Sequence, residues 1–220
     1  MAIHINHVVK AFGGKKILAD FSICFENSKI IFLNGRSGIG KTTILNLIMG
    51  IYMPDYGTID GVKGKRISCV FQDKRLLLSE TAEKNIACVI GKNPQIEKFS
   101  MREIWKSISD DYKKSQAKKW LKLMGLNEYC DQKVENLSGG MQQLVSIARA
   151  LASPKDILLL DEPFVGLDLT LKRKIVKLIK ENAKNIITII VTHDVYHGKL
   201  LSDQMYLLSG PPVFAKQVYL

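Results

Sequence analysis

Apolar residues in this chain fall into short runs with two spacings, and the switches between them mark its elements. Residues 3–9 alternate loosely, Phe12-Gly13-Gly14 offers a turn, and a second apolar run covers residues 17–25, so two strands joined by a turn are predicted. Ile30-Ile31-Phe32-Leu33 has the length and continuity of a buried strand, and it runs straight into Asn34-Gly35-Arg36-Ser37-Gly38-Ile39-Gly40-Lys41-Thr42-Thr43. Ile44, Leu45, Leu47, Ile48 and Met49 then follow at helical spacing, with Gly50 placed to end the helix. The predicted order is strand, glycine-rich loop, helix.

Between about residues 81 and 135 the texture turns helical, charged and lysine-rich. Ser100 with Glu103 makes a capping box ahead of Ile104, Trp105, Ile108 and Tyr112. A second helix runs through Trp120, Leu121, Leu123 and Met124 and stops near Gly125, and both tryptophans read as core packing. This stretch reads as a helical lobe inserted into an α/β core. Afterwards residues 140–152 and 171–183 have helical spacing, while 157–160 and 186–191 read as buried strands. No repeat and no low-complexity tract interrupts the pattern.

Composition narrows the class without choosing a function. At 220 residues and 24.7 kDa, with 46% hydrophobic and 24% charged residues, this is globular composition for one domain with a small inserted lobe. No apolar stretch approaches the roughly 18 residues that span a bilayer, and residues 1–10 lack the layout of a secretory signal, so a soluble, cytoplasmic chain is expected. Cys24, Cys69, Cys88 and Cys130 are scattered without a C-x-x-C pair, which argues against a disulfide framework or a zinc site. The formal charge of +11 suits nucleic acid, an anionic membrane face or a nucleotide, and alone selects none of them.

The chemistry lies in two separated segments. Gly35 to Thr42 fits G-x-x-x-x-G-K-[ST] at every fixed position. Its glycines let successive backbone N–H groups turn inward on a phosphate, and the helix that starts there adds the positive end of its dipole. Lys41 is placed to reach the β- and γ-phosphates and the Thr42 hydroxyl to ligate Mg²⁺. Ile157-Leu158-Leu159-Leu160-Asp161-Glu162 supplies the second half, 120 residues after the lysine. Four apolar residues place that strand inside the sheet, and two acids emerge at its carboxyl end. Asp161 is then a Mg²⁺ ligand, directly or through water, and Glu162 a base for the water that attacks the γ-phosphate.

Leu137-Ser138-Gly139-Gly140-Met141-Gln142-Gln143 falls between those two segments. Ser138 is a candidate N-cap, and the N–H groups of Gly139 and Gly140 open a helix where a phosphate can sit. With this motif the chain resembles the nucleotide-binding subunits of ATP-binding cassette (ABC) transporters, over essentially all its residues. The resemblance implies a P-loop α/β core with an N-terminal antiparallel β subdomain, residues 1–77 and 141–220, and a helical subdomain over about 78–140. It assigns the phosphate loop, Gly35, Arg36, Ser37, Gly38, Ile39, Gly40, Lys41, Thr42 and Thr43, to ATP, and Phe12 to adenine stacking. Gln72, in Val70-Phe71-Gln72-Asp73, matches the glutamine that senses Mg²⁺ and links the site to the membrane subunit. His193 matches the histidine that contacts the γ-phosphate, so Lys41, Glu162 and His193 form the implied catalytic set and Thr42, Gln72 and Asp161 the implied metal set. Ser138, Gly139, Gly140 and Asp168 complete the nucleotide site of a second copy.

Met141, Phe164 and Leu208-Ser209-Gly210-Pro211-Pro212 look like the nitrate, sulfonate and taurine importer group. Departures are Leu77-Leu78-Ser79-Glu80, without the Pro-Trp usual there, Leu144 in place of an arginine, and Tyr196-His197-Gly198 in place of Glu-Ala. The resemblance therefore implies an ATP- and Mg²⁺-dependent ATPase subunit of a small-solute importer, with no nucleic-acid partner. It would pair as a homodimer or with another cassette on ATP binding and sit on the cytoplasmic face of a bacterial membrane, with permease subunits and an extracytoplasmic solute-binding protein as partners. The alternative is a cassette doing other membrane work, in cell division or lipid and lipoprotein handling. A DNA-associated cassette would carry a long coiled coil between the phosphate motifs, and no sustained heptads occur there.

Overall fold

A computed structural model describes residues 2–27, 29–91 and 110–218. The chain divides into two compact units, one of Met1–Cys69, Lys155–Phe164 and Asp168–Leu220, the other of Val70–Pro154 with Val165–Leu167. In the first unit, β1 (Ala2–Phe12) and β2 (Lys15–Glu26) pair antiparallel around Gly13 and Gly14, whose φ values of 53° and 79° suit glycine. The strand β4 (Tyr56–Asp60) joins the other edge of β1, adding a third strand to the pair the first apolar runs predict and giving the antiparallel sheet the resemblance implies.

The second sheet has the order β5-β6-β7-β3-β8-β9. It contains β3 (Ile30–Asn34), β5 (Ile67–Val70), β6 (Ile157–Asp161), β7 (Ile187–Val191), β8 (Gln204–Ser209) and β9 (Phe214–Val218). β6, β7, β3 and β8 run parallel, with Leu159 opposite Ile189 and Phe32 opposite Ile190. Every residue of β6 and β7 is buried, which is why these strands are dominated by apolar residues instead of alternating, with only Thr188 inside β7 and Asp161 at the end of β6 polar. Ile31, Leu33, Leu159 and Ile189 share one core with Ile3, Ile5 and Phe25 of the antiparallel sheet and with Ile44, Leu45 and Ile48 of α1 (Lys41–Ile48). Gly50, at φ 71°, follows the end of α1 as its place in the sequence predicts.

The second unit is helical, with α2 (Ala82–Ala87), α3 (Asp110–Met124) and α4 (Gly139–Ala152) packed together. Ile86, Ala117, Leu121, Met124, Val134 and Val145 are among its buried apolar residues. Ser100, Glu103, Ile104, Trp105 and Ile108 lie outside the described residues. Tyr112, grouped with them in the sequence, instead sits on α3 together with Trp120, so the two belong to one helix. Trp120 is only half-buried there. Leu144, where an arginine is usual, is buried on α4 and serves the core of this unit.

The remaining helices, α5 (Leu169–Asn182) and α6 (Val195–Leu201), return the chain to the first unit. Gly198 on α6 lies against the fully buried ring of Phe32, and a Cβ there would sit 2.8 Å from two ring atoms. Overpacking a rigid core costs about 1–3 kcal/mol, against roughly 1 kcal/mol gained by replacing glycine within a helix. We expect Gly198→Ala to be destabilising by about 1 kcal/mol, a Tm lower by about 3 °C in a thermal melt.

Candidate functional site

The loop between β3 and α1 is shaped by its backbone. Gly40 is the N-cap of α1 at φ 117°, and no side chain caps the helix, so its first N–H groups face into the loop. A Cβ on Gly40 would lie 2.7 Å from Ile17 and 3.2 Å from Val213, and one on Gly35 would lie 2.9 Å from the Leu208 carbonyl oxygen. The segment that follows β8 therefore packs behind the loop and leaves room there only for glycine. Arg36, Ser37 and Gly38 are exposed at the rim, Ile39 is buried beneath it, and Thr43 is half-buried in the first turn of α1.

Lys41 is buried, with its Nζ donating to the Gly35 and Arg36 carbonyls at 2.7 and 2.9 Å. Burial pushes its ammonium down from the ordinary lysine range, and the carboxylates of Glu162 and Asp161 act in the opposite direction. The Thr42 hydroxyl donates to Asp161 Oδ2 at 2.8 Å, joining the start of α1 to the end of β6. Mg²⁺ takes few protein oxygens and keeps waters and phosphate oxygens for the rest, so this pair of hard oxygen donors fits it, and a carboxylate cage is not required.

Glu162 follows β6 with φ 51°, a conformation rare for a side-chain-bearing residue and typical of functional turns. Its N–H donates to the Val191 carbonyl at 2.8 Å. Its Oε2 accepts from the Thr192 hydroxyl and the His193 amide, both at 3.1 Å, while His193 Nε2 lies 3.5 Å from Oε1. The ends of adjacent strands β6 and β7 thus fix the carboxylate, and the His193 ring stays 57% exposed over it. Asp194 next caps α6 by accepting from the His197 amide at 3.1 Å. It also receives Lys172 Nζ at 2.8 Å and lies 2.9 Å from His197 Nδ1. Burial pushes the Asp194 carboxyl up, but the hydrogen bonds from Lys172, the His197 amide and the His197 ring together hold it down at about 2. An ionised carboxylate only accepts, so His197 carries its proton on Nδ1 toward Asp194.

Two other residues of this unit were singled out in the sequence. Phe12, 42% exposed at the end of β1, meets Tyr52 edge to face at 5.2 Å, with Lys10 Nζ 5.4 Å from its ring centroid. Asp168 spends its carboxylate locally as the N-cap of α5, accepting from the Leu171 amide at 2.9 Å.

The second unit carries Gln72, exposed in the turn after β5, and the segment Ser138 to Gly140 that opens α4. Ser138 caps that helix by accepting from the Met141 amide at 3.3 Å, as its position predicts. Gln142 steadies the approach, donating to the carbonyls of Val134 and Leu137 at 3.1 Å each. A Cβ on Gly140 would lie 2.7 Å from the Gly166 carbonyl oxygen, so close backbone approach demands glycine there.

The family described as ABC transporter matches residues 18–165. The chain belongs to the ABC transporter family. This cassette is 34% identical over 221 residues to the taurine import ATP-binding protein TauB of Escherichia coli (strain K12), covering 96% of this chain and 80% of that protein. It is 33% identical over 207 residues to the aliphatic sulfonates import ATP-binding protein SsuB 1 of Pseudomonas savastanoi, covering 92% and 78%. Among solved structures, the ATP-binding cassette MJ0796 in a dimeric post-hydrolysis state with ADP and Pi matches with a TM-score of 0.81 at 25% identity, over 99% of this chain and 98% of that one. The α/β core with its antiparallel sheet and helices is the ABC ATPase fold, and the chain is an ATP-binding ATPase subunit.

Within the cassette's first unit the fold gathers Lys41, Thr42, Asp161, Glu162 and His193 at one end of the sheet. Sequence reasoning missed Thr192, which holds Glu162, and Lys172 and His197, which hold Asp194 beside His193. The signal for one of them was present, because Asp194 three residues before His197 is the spacing of a cap with its helix. Asp194→Asn should destabilise the cassette by about 1–2 kcal/mol at pH 7, with allowance for partial exposure. A carboxyl lowered in the fold stabilises above its unfolded pKa and loses that contribution as pH falls through its folded value. The gap from parent, read by urea unfolding, should therefore shrink between about pH 4 and about pH 2.

Proposed function

We propose that this cassette is the ATP-hydrolysing subunit of an importer of small organic or inorganic anions, working as a homodimer on the cytoplasmic face of the cell membrane. The arrangement that carries the reading is the joining of Thr42 to Asp161 beside Lys41, with Glu162 held by the strand end that bears His193. Lys41 and the N–H groups opening α1 hold the ATP phosphates, and Phe12 stacks on adenine. Thr42 and Asp161 would hold Mg²⁺, which would neutralise phosphate charge when bound, and Gln72 is the residue the resemblance assigns to sensing it. Glu162 takes the proton of the attacking water, its second oxygen fixed by Thr192 and the His193 amide so that the carboxylate does not rotate. His193, exposed over Glu162, donates to the γ-phosphate.

Ser138, Gly139, Gly140 and Asp168 complete the site of the partner copy. The resemblance draws the helical subdomain at residues 78–140, between core segments 1–77 and 141–220, while the compact helical unit of the fold runs over Val70–Pro154. A concavity of about 370 Å³ in the second unit, lined by Gln72, Arg75, Leu78 and Gln142 among others, offers a permease subunit its docking surface. Leu77-Leu78-Ser79-Glu80 lacks the Pro-Trp pair usual there, which gives that groove a shape of its own. The import names of TauB and SsuB 1 support an anion cargo and an extracytoplasmic solute-binding protein.

Lys41→Ala should lower ATP turnover by a factor of about 100 or more and weaken nucleotide binding, because a charge-assisted phosphate contact is lost in a dry site. Turnover at the parent rate in a phosphate-release assay would refute the phosphate-loop role. Glu162→Gln should still bind ATP yet stop turning it over, accumulating a species of twice the monomer mass in Mg-ATP on sedimentation. Import is tested by reconstituting the cassette with its co-purified membrane subunit. Stimulation of ATP turnover by a loaded solute-binding protein is expected, and stimulation by lipid or a division-site partner instead overturns it.

A further inference from the structure

The turn after Gln72 contains two consecutive side-chain-bearing residues in the left-handed region, Lys74 at φ 59° and Arg75 at φ 45°. Such a pair persists only where the surroundings impose it. Here the surroundings are the two ends of a single helix. Arg149, in the last turn of α4, donates to the carbonyls of Arg75 and Lys74 at 2.8 and 2.9 Å. At the other end, Lys74 Nζ donates to the carbonyl of Gly139, the first residue of α4, at 2.9 Å. Gly139 and Arg149 are ten residues apart, about 15 Å along a helix, which the two long side chains together span. The Arg75 guanidinium lies 4.2 Å from the centroid of the Phe71 ring and closes the turn from its other side.

We infer that Lys74 is a positioning residue that straps the Gln72 turn to the first residue of the signature helix, so that the two shift as one body. Lys74 lies in the second unit and is not part of the phosphate loop. Its effect falls on the presentation of Ser138, Gly139 and Gly140 to the second copy, and so the inference rests on the paired-cassette reading given above. The strap uses the side chain alone. The left-handed backbone of the turn is separately held by Arg149.

That separation makes the role testable. In a Glu162→Gln background, Lys74→Ala removes the strap and keeps the strained backbone, whereas Lys74→Gly removes the strap and relieves the backbone. Both should weaken Mg-ATP-induced dimerisation about 5- to 10-fold in sedimentation equilibrium, the loss of about one hydrogen bond from a charged donor. Binding of a fluorescent ATP analogue to the monomer should not change. Lys74→Arg should restore dimerisation to within about twofold, because it can still donate to the Gly139 carbonyl. Hydrogen exchange at residues 139–142 should rise in Lys74→Gly even though its melting temperature equals or exceeds the parent's. If the Glu162→Gln parent dimerises and both Lys74 variants dimerise equally well, or if dimerisation simply follows melting temperature, the strap is refuted and the paired cassette stands. A parent that stays monomeric in Mg-ATP overturns the paired reading and the strap with it.

Discussion

The cassette is organised by the problem of keeping charge at the ends of strands that have no exposed face. β6 and β7 are buried along their whole length, yet they deliver Asp161, Glu162, Thr192 and His193 to their carboxyl ends. A buried carboxylate is costly unless it is paired or hydrogen-bonded. Here the partners are a hydroxyl from α1, a hydroxyl and an amide from the neighbouring strand end, and the field of a buried ammonium. Lys41 has the converse difficulty, since burial disfavours its charge and the two acids offset part of that cost. Each group therefore makes the others tolerable. The order of the central strands, which puts β7 between β6 and β3, lets residues far apart in the chain meet these mutual needs.

This interdependence explains what was legible in the sequence. The phosphate loop, the acidic strand end and the signature are local, because backbone geometry fixes their spacing. Buried parallel strands read as apolar runs, and β3, β6 and β7 lie where those runs are. The strands β4, β5, β8 and β9 were not foreseen, since their four to six residues carry partial burial patterns without a continuous run. Lys172 was equally silent. Its meeting with Asp194 depends on α5 and α6 lying side by side, which no spacing within either helix records.

The departures from the family pattern acquire physical reasons in the fold. His197 is buried, held by Asp194 at Nδ1, with its ring centroid 5.5 Å from that of Phe164. The adjacent Gly198 admits the ring of Phe32. An imidazole and a missing side chain thus occupy consecutive positions where Glu-Ala is usual, and each answers to its own neighbour in the core. Leu144 likewise trades a charged position for packing within the helical unit.

Gly40 illustrates how folding and chemistry become entangled. Its backbone angle and the nearness of Ile17 and Val213 exclude any side chain whether or not a phosphate is bound. A genetic screen for loss of transport would recover substitutions at this codon as readily through misfolded protein as through failed nucleotide capture. A null allele there is consequently silent about which of the two failed, whereas an allele that shortens Lys41 removes a charge without forcing any atom against its neighbours.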